Sequence, residues 1–158
     1  MAQTPVVGGK APDFSLVGDD GGKVSLKNFR GKKVVLYFYP KADTPGCTRE
    51  AIAFNGLKSA FARADTAILG VSADPVKAQD AFKRKHKLAI PLASDESHKM
   101  LTDYGVWGEK SMYGRTFMGI TRATFLIGTD GRIARVWPKV KVDGHADEVL
   151  AAVRELDG

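Results

Sequence analysis

Cysteine is almost missing from this chain of 158 residues, in which Cys47 is the only one. A single cysteine cannot form an internal disulfide, which excludes a disulfide-stabilised scaffold and a C-x-x-C redox pair. Long hydrophobic runs are missing too, since stretches such as VVLYFY have the length of a strand and fall short of a bilayer span. The N-terminal sequence MAQTPVVGGKAPDF lacks the basic start and apolar core of a secretory signal, which predicts a cytoplasmic protein without a membrane partner.

Repeats and linkers rich in Pro, Ser or Gly are also absent, so we predict a single domain over residues 1–158. The net charge of +6 can attract anions. The basic residues are nevertheless mixed with acidic ones, except in the short run at 83–87, and such a run on a helix is typical of a solvated face. We therefore expect no nucleic-acid partner. The three histidines, His86, His98 and His145, show no metal-ligand spacing, so no metal site is predicted.

Strand-like and helix-like blocks alternate along the chain. Residues 33–39 are almost continuously apolar, which is typical of a strand covered on both faces. Cys47, Phe54 and Phe61 are spaced seven residues apart and predict a helix over 47–64. The other predicted elements are, in order, a hairpin of DFSLV and KVSL, a helical turn at Leu26–Phe29, a strand AILGVSA, a helix from the N-cap Asp74 through Pro75 to about Lys87, a short strand IPLAS, a helix from Ser97 or His98 to Tyr104, two strands within RATFLIGTDGRIARVWP, and a helix capped by Asp143 that carries Ala146, Val149, Leu150 and Val153 on one face.

This order of elements predicts an α/β protein with three layers, in which helices flank a central sheet. The last two strands form an antiparallel hairpin, so the sheet should be mixed. A mixed sheet covered by helices in this order is typical of the thioredoxin-like fold.

Cys47 lies between the end of a buried strand and the start of a helix. A free thiol has a pKa of about 8.5, so a reactive cysteine needs an environment that favours the thiolate. Such an environment exists at the predicted helix start. It consists of the backbone N–H groups at Gly46 and Cys47 and the positive end of the helix dipole. Composition alone favours an inert buried residue, but ligands gather at the carboxyl ends of strands in such sheets, so we favour reactivity.

The segment YPKADTPGCTREA, with the spacing Pro40-x-x-x-Thr44-x-x-Cys47, resembles the active-site motif of the peroxiredoxins. It is most similar to the bacterioferritin-comigratory, or Q-type, branch. The segments APDFSL, GVSADP and YGVWGEKSMYGRTFMGITRATFLIG also resemble that family, so the resemblance spans nearly the whole chain.

The resemblance implies that a thiolate at Cys47 reduces hydroperoxides and becomes a sulfenic acid, without any bound cofactor. Thr44 would hydrogen-bond thiolate and peroxide, backbone N–H groups of Gly46 and Cys47 would hold the peroxide oxygens, and Pro40 would screen the thiolate from water. The family's arginine corresponds to Arg122, which on its own sequence context would be an ordinary salt-bridge partner.

Two further groups lie near this motif in sequence. Glu50 either satisfies the start of the helix or orients Arg122, and we favour the structural role. Trp107, Tyr113, Phe117 and Met118 are predicted to belong to a long loop before Arg122. Some of them are candidates for an apolar wall around an alkyl peroxide, although aromatic residues in such segments are more often core.

The sequence departs from the Q-type pattern because it lacks a resolving cysteine, the second thiol that would react with the sulfenic acid. Many Q-type members carry a resolving cysteine five residues after the first, where this chain has Ile52, and others carry it in the next helix, which has none here. We therefore expect recycling by an external thiol, either thioredoxin, glutaredoxin with glutathione, or another small thiol. The resemblance also suggests a monomer. The main alternative is a peroxide sensor with little turnover, and a cysteine hydrolase is disfavoured because no histidine is expected near Cys47.

Overall fold

The structure, a computed structural model, describes residues 5–157, in which strands and helices alternate along much of the chain. The strands are β1 (Ser15–Gly18), β2 (Lys23–Ser25), β3 (Lys33–Phe38), β4 (Thr66–Ser72), β5 (Leu92–Ser94), β6 (Trp107–Met112), β7 (Arg115–Ile120), β8 (Ala123–Ile127) and β9 (Ile133–Trp137). The helices are α1 (Pro45–Gly56), α2 (Lys58–Arg63), α3 (Val76–Lys85), α4 (Lys99–Asp103) and α5 (His145–Asp157), with a 3-10 helix at Leu26–Phe29.

Seven of these strands form one sheet in the order β2-β1-β5-β4-β3-β8-β9. Strand β3 pairs in parallel with β4, and β4 in parallel with β5. Strands β1, β8 and β9 join by antiparallel pairing. The mixed sheet predicted from the final hairpin is confirmed.

Strand β3 separates two hydrophobic cores, because all six of its residues are buried and their side chains alternate between the faces of the sheet. Leu36 and Phe38 pack in one core with Leu101 of α4. Tyr37 packs in the other core with Phe54 of α1. Helices α2, α3 and α5 also contribute to this second core. The three-layer thioredoxin-like arrangement is therefore confirmed.

Helix α1 starts and ends earlier than predicted. It begins at Pro45, with Thr44 as N-cap, because a proline at the first helical position needs no hydrogen-bond acceptor for its missing N–H. It ends at Gly56, where the Leu57 N–H turns back to the carbonyl of Phe54. The predicted helix over 47–64 is thus two helices, α1 and α2.

Two predicted helix caps have other roles. Pro75 is the N-cap of α3, so Asp74 lies outside the helix, and its carboxylate accepts a hydrogen bond from the Ala42 N–H at 2.7 Å. Helix α5 begins at His145, so Asp143 lies two residues before its start. The Asp143 carboxylate pairs with Arg49 at 2.9 Å.

The predicted loop over 107–118 was wrong, because this segment forms an antiparallel hairpin of β6 and β7. Tyr113 and Gly114 connect the strands with φ angles of 53° and 76°, as a two-residue hairpin turn requires. Most positions of the hairpin are exposed or half-buried. Only the base of the hairpin, at Trp107 and Ile120, packs on the core. The rest of the two strands therefore shows no hydrophobic alternation, which explains why the pattern suggested a loop.

The basic run over 83–87 is largely engaged with carboxylates. Lys83 pairs with Asp19 at 3.1 Å, and Arg84 pairs with Asp80 at 3.1 Å. Lys85 pairs with Asp43 at 2.9 Å. Within residues 5–157, no helix is both long and apolar enough to cross a membrane.

Candidate active site

Cys47 is the third residue of α1, directly after the loop that leaves strand β3. The first hydrogen bond of the helix runs from the Thr48 N–H to the Thr44 carbonyl at 2.8 Å. The N–H groups of Gly46 and Cys47 precede that bond, so the helix itself gives them no acceptor. The start of α1 therefore presents two N–H donors and the positive end of its dipole beside the sulfur.

The thiol of Cys47 lies inside the protein, with 1% of the residue exposed. Ala51 and Phe54 lie one and two turns further along the same face of α1, and both pack in the same core. The helical stripe predicted from the sequence therefore faces the sheet. A group at the sulfur sits in a medium of low dielectric constant, where each nearby charge acts strongly.

Arg122 also lies beside this sulfur. In the sheet, β3 has β4 on one side and β8 on the other, and Arg122 comes from the β8 side. It directly precedes β8, which pairs with β3, and its Nη2 lies 3.3 Å from the Cys47 Sγ. Its Nη1 donates a hydrogen bond of 2.7 Å to the Glu50 Oε1. One guanidinium thus binds the sulfur and a carboxylate together, and its planar fork of donors fixes the directions of both contacts.

Glu50 pairs with Arg122, so the role that the sequence favoured for it, satisfying the helix start, was wrong. Its side chain is only 1% exposed, and burial raises its carboxyl pKa to about 7 although Arg122 acts in the opposite direction. Among the described residues, the Oε2 atom has no hydrogen-bond partner. Burial by itself lowers the pKa of Arg122, but Glu50 and Cys47 raise it overall, so the guanidinium stays charged.

Thr44 is the N-cap of α1, but its side chain does not cap the helix. Its hydroxyl instead donates a hydrogen bond of 2.7 Å to the carbonyl of Lys41. The Cys47 N–H, which a capping side chain often occupies, therefore remains open to another acceptor. With its hydrogen donated to Lys41, the Thr44 oxygen keeps lone pairs that can accept a hydrogen bond from a hydroperoxide.

Gly46 and Pro40 shape the space around Arg122 and the loop. A Cβ at Gly46 would lie 3.2 Å from the Arg122 Nη2, a distance tighter than ordinary packing. The absence of a side chain at Gly46 therefore lets the guanidinium approach the helix start. Pro40 is half-buried and joins the end of the β3 segment to the loop.

Aromatic residues form the wall behind the sulfur. Tyr37 stacks on Phe54 with ring centroids 4.7 Å apart, and it lies so close to Gly70 that a Cβ there would be 2.7 Å from the ring. Within residues 5–157 the Tyr37 hydroxyl has no hydrogen-bond partner. Burial raises the pKa of this hydroxyl well above its ordinary value, so Tyr37 stays neutral.

His145 lies nearer this core than the sequence indicated. Its ring packs edge-on against Phe54, with centroids 5.9 Å apart. Its Nε2 shares a 2.8 Å hydrogen bond with Thr124, and its Nδ1 lies 3.8 Å from Glu148. Burial lowers the pKa of the ring. Both nitrogens thus have partners other than Cys47, so His145 lacks the contact that a hydrolase base makes with its nucleophile.

The remaining histidines are used elsewhere, and no metal centre is formed within residues 5–157. His98 stacks on Trp107 with ring centroids 3.9 Å apart, and His86 binds Asp43 at 2.9 Å. In the part of the chain that the structure describes, no group of three His, Cys, Asp or Glu side chains could hold a metal ion.

The fold and the buried cysteine–arginine pair at a helix start define a class of thiol enzyme, and comparison with known proteins identifies the class. The model of the AhpC/TSA family matches residues 7–136, and the chain belongs to this family. It is a thiol-dependent peroxidase, which acts on a peroxide with a thiol as reductant.

Within that family the chain is similar to peroxiredoxins of the Bcp type. It is 50% identical to a putative peroxiredoxin Bcp of Coxiella burnetii, over 91% of this chain and 95% of the relative. It is 45% identical to peroxiredoxin Bcp of Bacillus subtilis, over 95% of this chain and 96% of the relative. The bacterioferritin comigratory protein of Xanthomonas campestris superposes with a TM-score of 0.90 at 41% identity, over 97% and 100% of the two chains.

Proposed function

We propose that Cys47 is the peroxidatic residue of this enzyme. Its thiolate sulfur attacks one oxygen of a hydroperoxide, the O–O bond breaks, and Cys47 becomes a sulfenic acid. The second oxygen leaves as hydroxide or alkoxide and takes a proton from solvent, giving water or an alcohol. The contact between the Arg122 Nη2 and the Cys47 Sγ at 3.3 Å is the observation that carries this proposal, because it places a fixed cation on the only thiol.

The residues around the sulfur act on the peroxide as it reacts. The N–H groups of Gly46 and Cys47 hold the peroxide oxygens while negative charge moves from sulfur to the leaving oxygen. The Thr44 oxygen accepts the hydrogen bond of the peroxide O–H and aligns it for attack. Pro40 limits the entry of water. Glu50 positions Arg122 through the 2.7 Å ion pair, so that Nη2 points at the sulfur.

The oxidised enzyme returns to the thiol with an external reductant. A thiol of another molecule attacks the Cys47 sulfenic acid, water leaves, and a mixed disulfide forms. A second thiol then attacks that disulfide and releases Cys47. The absence of any other cysteine in the chain supports this one-cysteine cycle. Thioredoxin, glutaredoxin with glutathione, and other small thiols are all candidates for the reductant.

Both hydrogen peroxide and organic hydroperoxides are proposed as substrates. The bacterioferritin comigratory protein of Xanthomonas campestris has alkyl peroxide reduction activity, which supports the organic class for this similar chain. We further propose a monomer with one domain over residues 1–158, acting in the cytoplasm without nucleic acid.

The test compares Cys47→Ser with Ile52→Ser, a matched control on the exposed side of the same helix. We expect Cys47→Ser to lose peroxide consumption by about 10³-fold or more, because the nucleophile is gone. Ile52→Ser should keep the wild-type rate. Mass spectrometry after one equivalent of peroxide should add one oxygen to Cys47. Peroxide consumption by Cys47→Ser at the wild-type rate would contradict the proposal.

A peroxide sensor is the second candidate, and the burial of Cys47 favours it, because a buried sulfenic acid is slow to meet a second thiol. A steady-state assay with a panel of reductants separates the two functions. Continuous turnover with any reductant of the panel supports the peroxidase cycle. A single round of oxidation without recovery in every case supports the sensor.

A further inference from the structure

The loop that carries the active-site motif is attached to helix α3 and its flanking residues. We call residues 40–44 the motif loop. Tyr39, just before it, donates its hydroxyl hydrogen bond to the Gln79 Oε1 of α3. Gln79 is fully buried, and its Nε2 donates hydrogen bonds of 2.9 Å to the Ser72 Oγ and to the Ala93 carbonyl. The entry to the motif loop is thus fixed by an internal polar network.

Asp74, between β4 and α3, continues this network into the middle of the motif loop. Its Oδ2 accepts a hydrogen bond of 2.7 Å from the Ala42 N–H. The same oxygen accepts one of 2.7 Å from the Ser72 hydroxyl. An ionised acceptor makes stronger hydrogen bonds than a neutral one, so this contact fixes the backbone of the loop two residues before Thr44.

Asp43 attaches the loop to the other end of α3. Its two carboxylate oxygens bind Lys85 and His86, each at 2.9 Å. Asp43 has a φ of 62°, in the left-handed region that few residues other than Gly, Asn and Asp adopt. The next residue is Thr44, whose carbonyl accepts the first hydrogen bond of α1. The conformation of Asp43 therefore sets the direction in which the chain enters the helix of Cys47.

We propose that Asp43 and Asp74 are positioning residues for the peroxide step, which act by fixing the motif loop to both ends of α3. This proposal rests on the proposed roles of Cys47 and Thr44. When either attachment is lost, Thr44 and the N–H groups at the start of α1 are less often aligned with the sulfur. Reaction with peroxide requires that alignment, whereas alkylation of the thiolate does not.

The experiment measures two rate constants for Cys47 in each variant, one with hydrogen peroxide and one with iodoacetamide, by quenching and mass spectrometry. We expect Asp74→Ala to lower the peroxide rate constant by about 10-fold, and Asp43→Ala by about 3-fold, since small misplacements of reacting groups are costly. The alkylation rate constant should stay the same or rise. Asp74→Asn and Asp43→Asn keep an acceptor oxygen, so they should restore part of the peroxide rate.

The matched control is Asp80→Ala, which removes the exposed ion pair with Arg84 on α3 and leaves the motif loop untouched. It should leave both rate constants at their wild-type values. Equal losses in the peroxide and alkylation rates of the Asp43 and Asp74 variants, or no loss in either, would overturn the proposal. If wild-type Cys47 itself fails to react with peroxide, the proposed function fails instead.

Discussion

Helix α1 has an inner face and an outer face with opposite properties, although the residues that define them are only five positions apart. On the inner face, Cys47 and Glu50 are each 1% exposed, and both contact Arg122. On the outer face, Ile52 is 49% exposed. Five residues of helix correspond to ~140° of rotation and ~7.5 Å of rise, so the two faces cannot meet while α1 stays folded.

This difference explains how the chain can keep its active site closed. In relatives of the Q-type a second sulfur can follow the first by five residues, so the helix must unwind for a disulfide to form. In this chain the corresponding residue is Ile52, which has no thiol, so α1 does not have to unwind to form a disulfide. The inner face can therefore remain packed on the sheet throughout oxidation, and only the approach of an external thiol requires it to open.

The largest effect on the peroxide rate constant should follow from replacing Arg122, which contacts the inner face of α1. Arg122→Met removes the cation from the sulfur and from Glu50, so we expect the peroxide rate constant to fall by about 10²-fold. Arg122→Lys keeps the charge but loses the planar fork that fixes the directions of both contacts, so its rate should lie between those of the wild type and Arg122→Met. The exposed Arg49, which pairs with Asp143, provides the control Arg49→Met. Equal stopped-flow rates for Arg122→Met and Arg49→Met would contradict the role of Arg122.

A smaller effect should follow from adding one methyl group between the helix start and the guanidinium. Gly46→Ala places a Cβ 3.2 Å from the Arg122 Nη2, so the arginine must move by a few tenths of an ångström. We expect a loss of about 5-fold in the peroxide rate constant without loss of thermal stability. An unchanged rate would show that the approach of Arg122 to the helix start is not needed.

Glu50 should make the stability of the inner face depend on pH. Folding raises its carboxyl pKa from 4.5 to about 7. The folded protein therefore binds a proton more tightly than the unfolded chain does. This contribution to stability is complete below pH 4.5 and is lost as the pH rises through about 7.

Glu50→Gln removes this titration. From about pH 5 to about pH 8, the melting temperature of the wild type should fall relative to that of the variant, by ~3 °C or more. Thermal melts monitored by circular dichroism at matched ionic strength measure this difference. A difference that stays constant over that range would contradict the raised pKa.

The smallest effect is expected on the outer face. Ile52→Cys adds a thiol on the outer face, so its peroxide rate constant should match the wild type within about twofold. After oxidation, the new thiol should stay free as long as α1 is folded, and mild urea should accelerate disulfide formation. Thiol counting over time measures this. A disulfide that forms at once, independently of urea, would show that α1 opens readily.

The sequence was sufficient for features that depend on local pattern. The continuous apolar run identified β3, and the seven-residue spacing of Cys47, Phe54 and Phe61 placed Cys47 at a helix start. Arg122 was found through the family resemblance, since its ion pair joins residues 72 positions apart and leaves no local signal. Glu50 was misjudged for the same reason.

Other features could not be read from the sequence because their causes are tertiary. The hairpin of β6 and β7 lacks apolar alternation, because most of its positions are exposed or half-buried. Asp74 was predicted as an N-cap, yet its carboxylate accepts a hydrogen bond from Ala42 in the motif loop, 32 residues away. Asp43 gave no sign in the sequence that it binds the end of α3.

The single buried cysteine also makes the chain convenient for chemical labelling. Tyr113 at the tip of the hairpin is 96% exposed, so a cysteine introduced there would meet a bulky maleimide dye long before Cys47 does. A fluorophore or spin label could then be attached at one chosen site without removing the native thiol. The same molecule would report on its surroundings while its own sulfur remained available for the proposed reaction with peroxide.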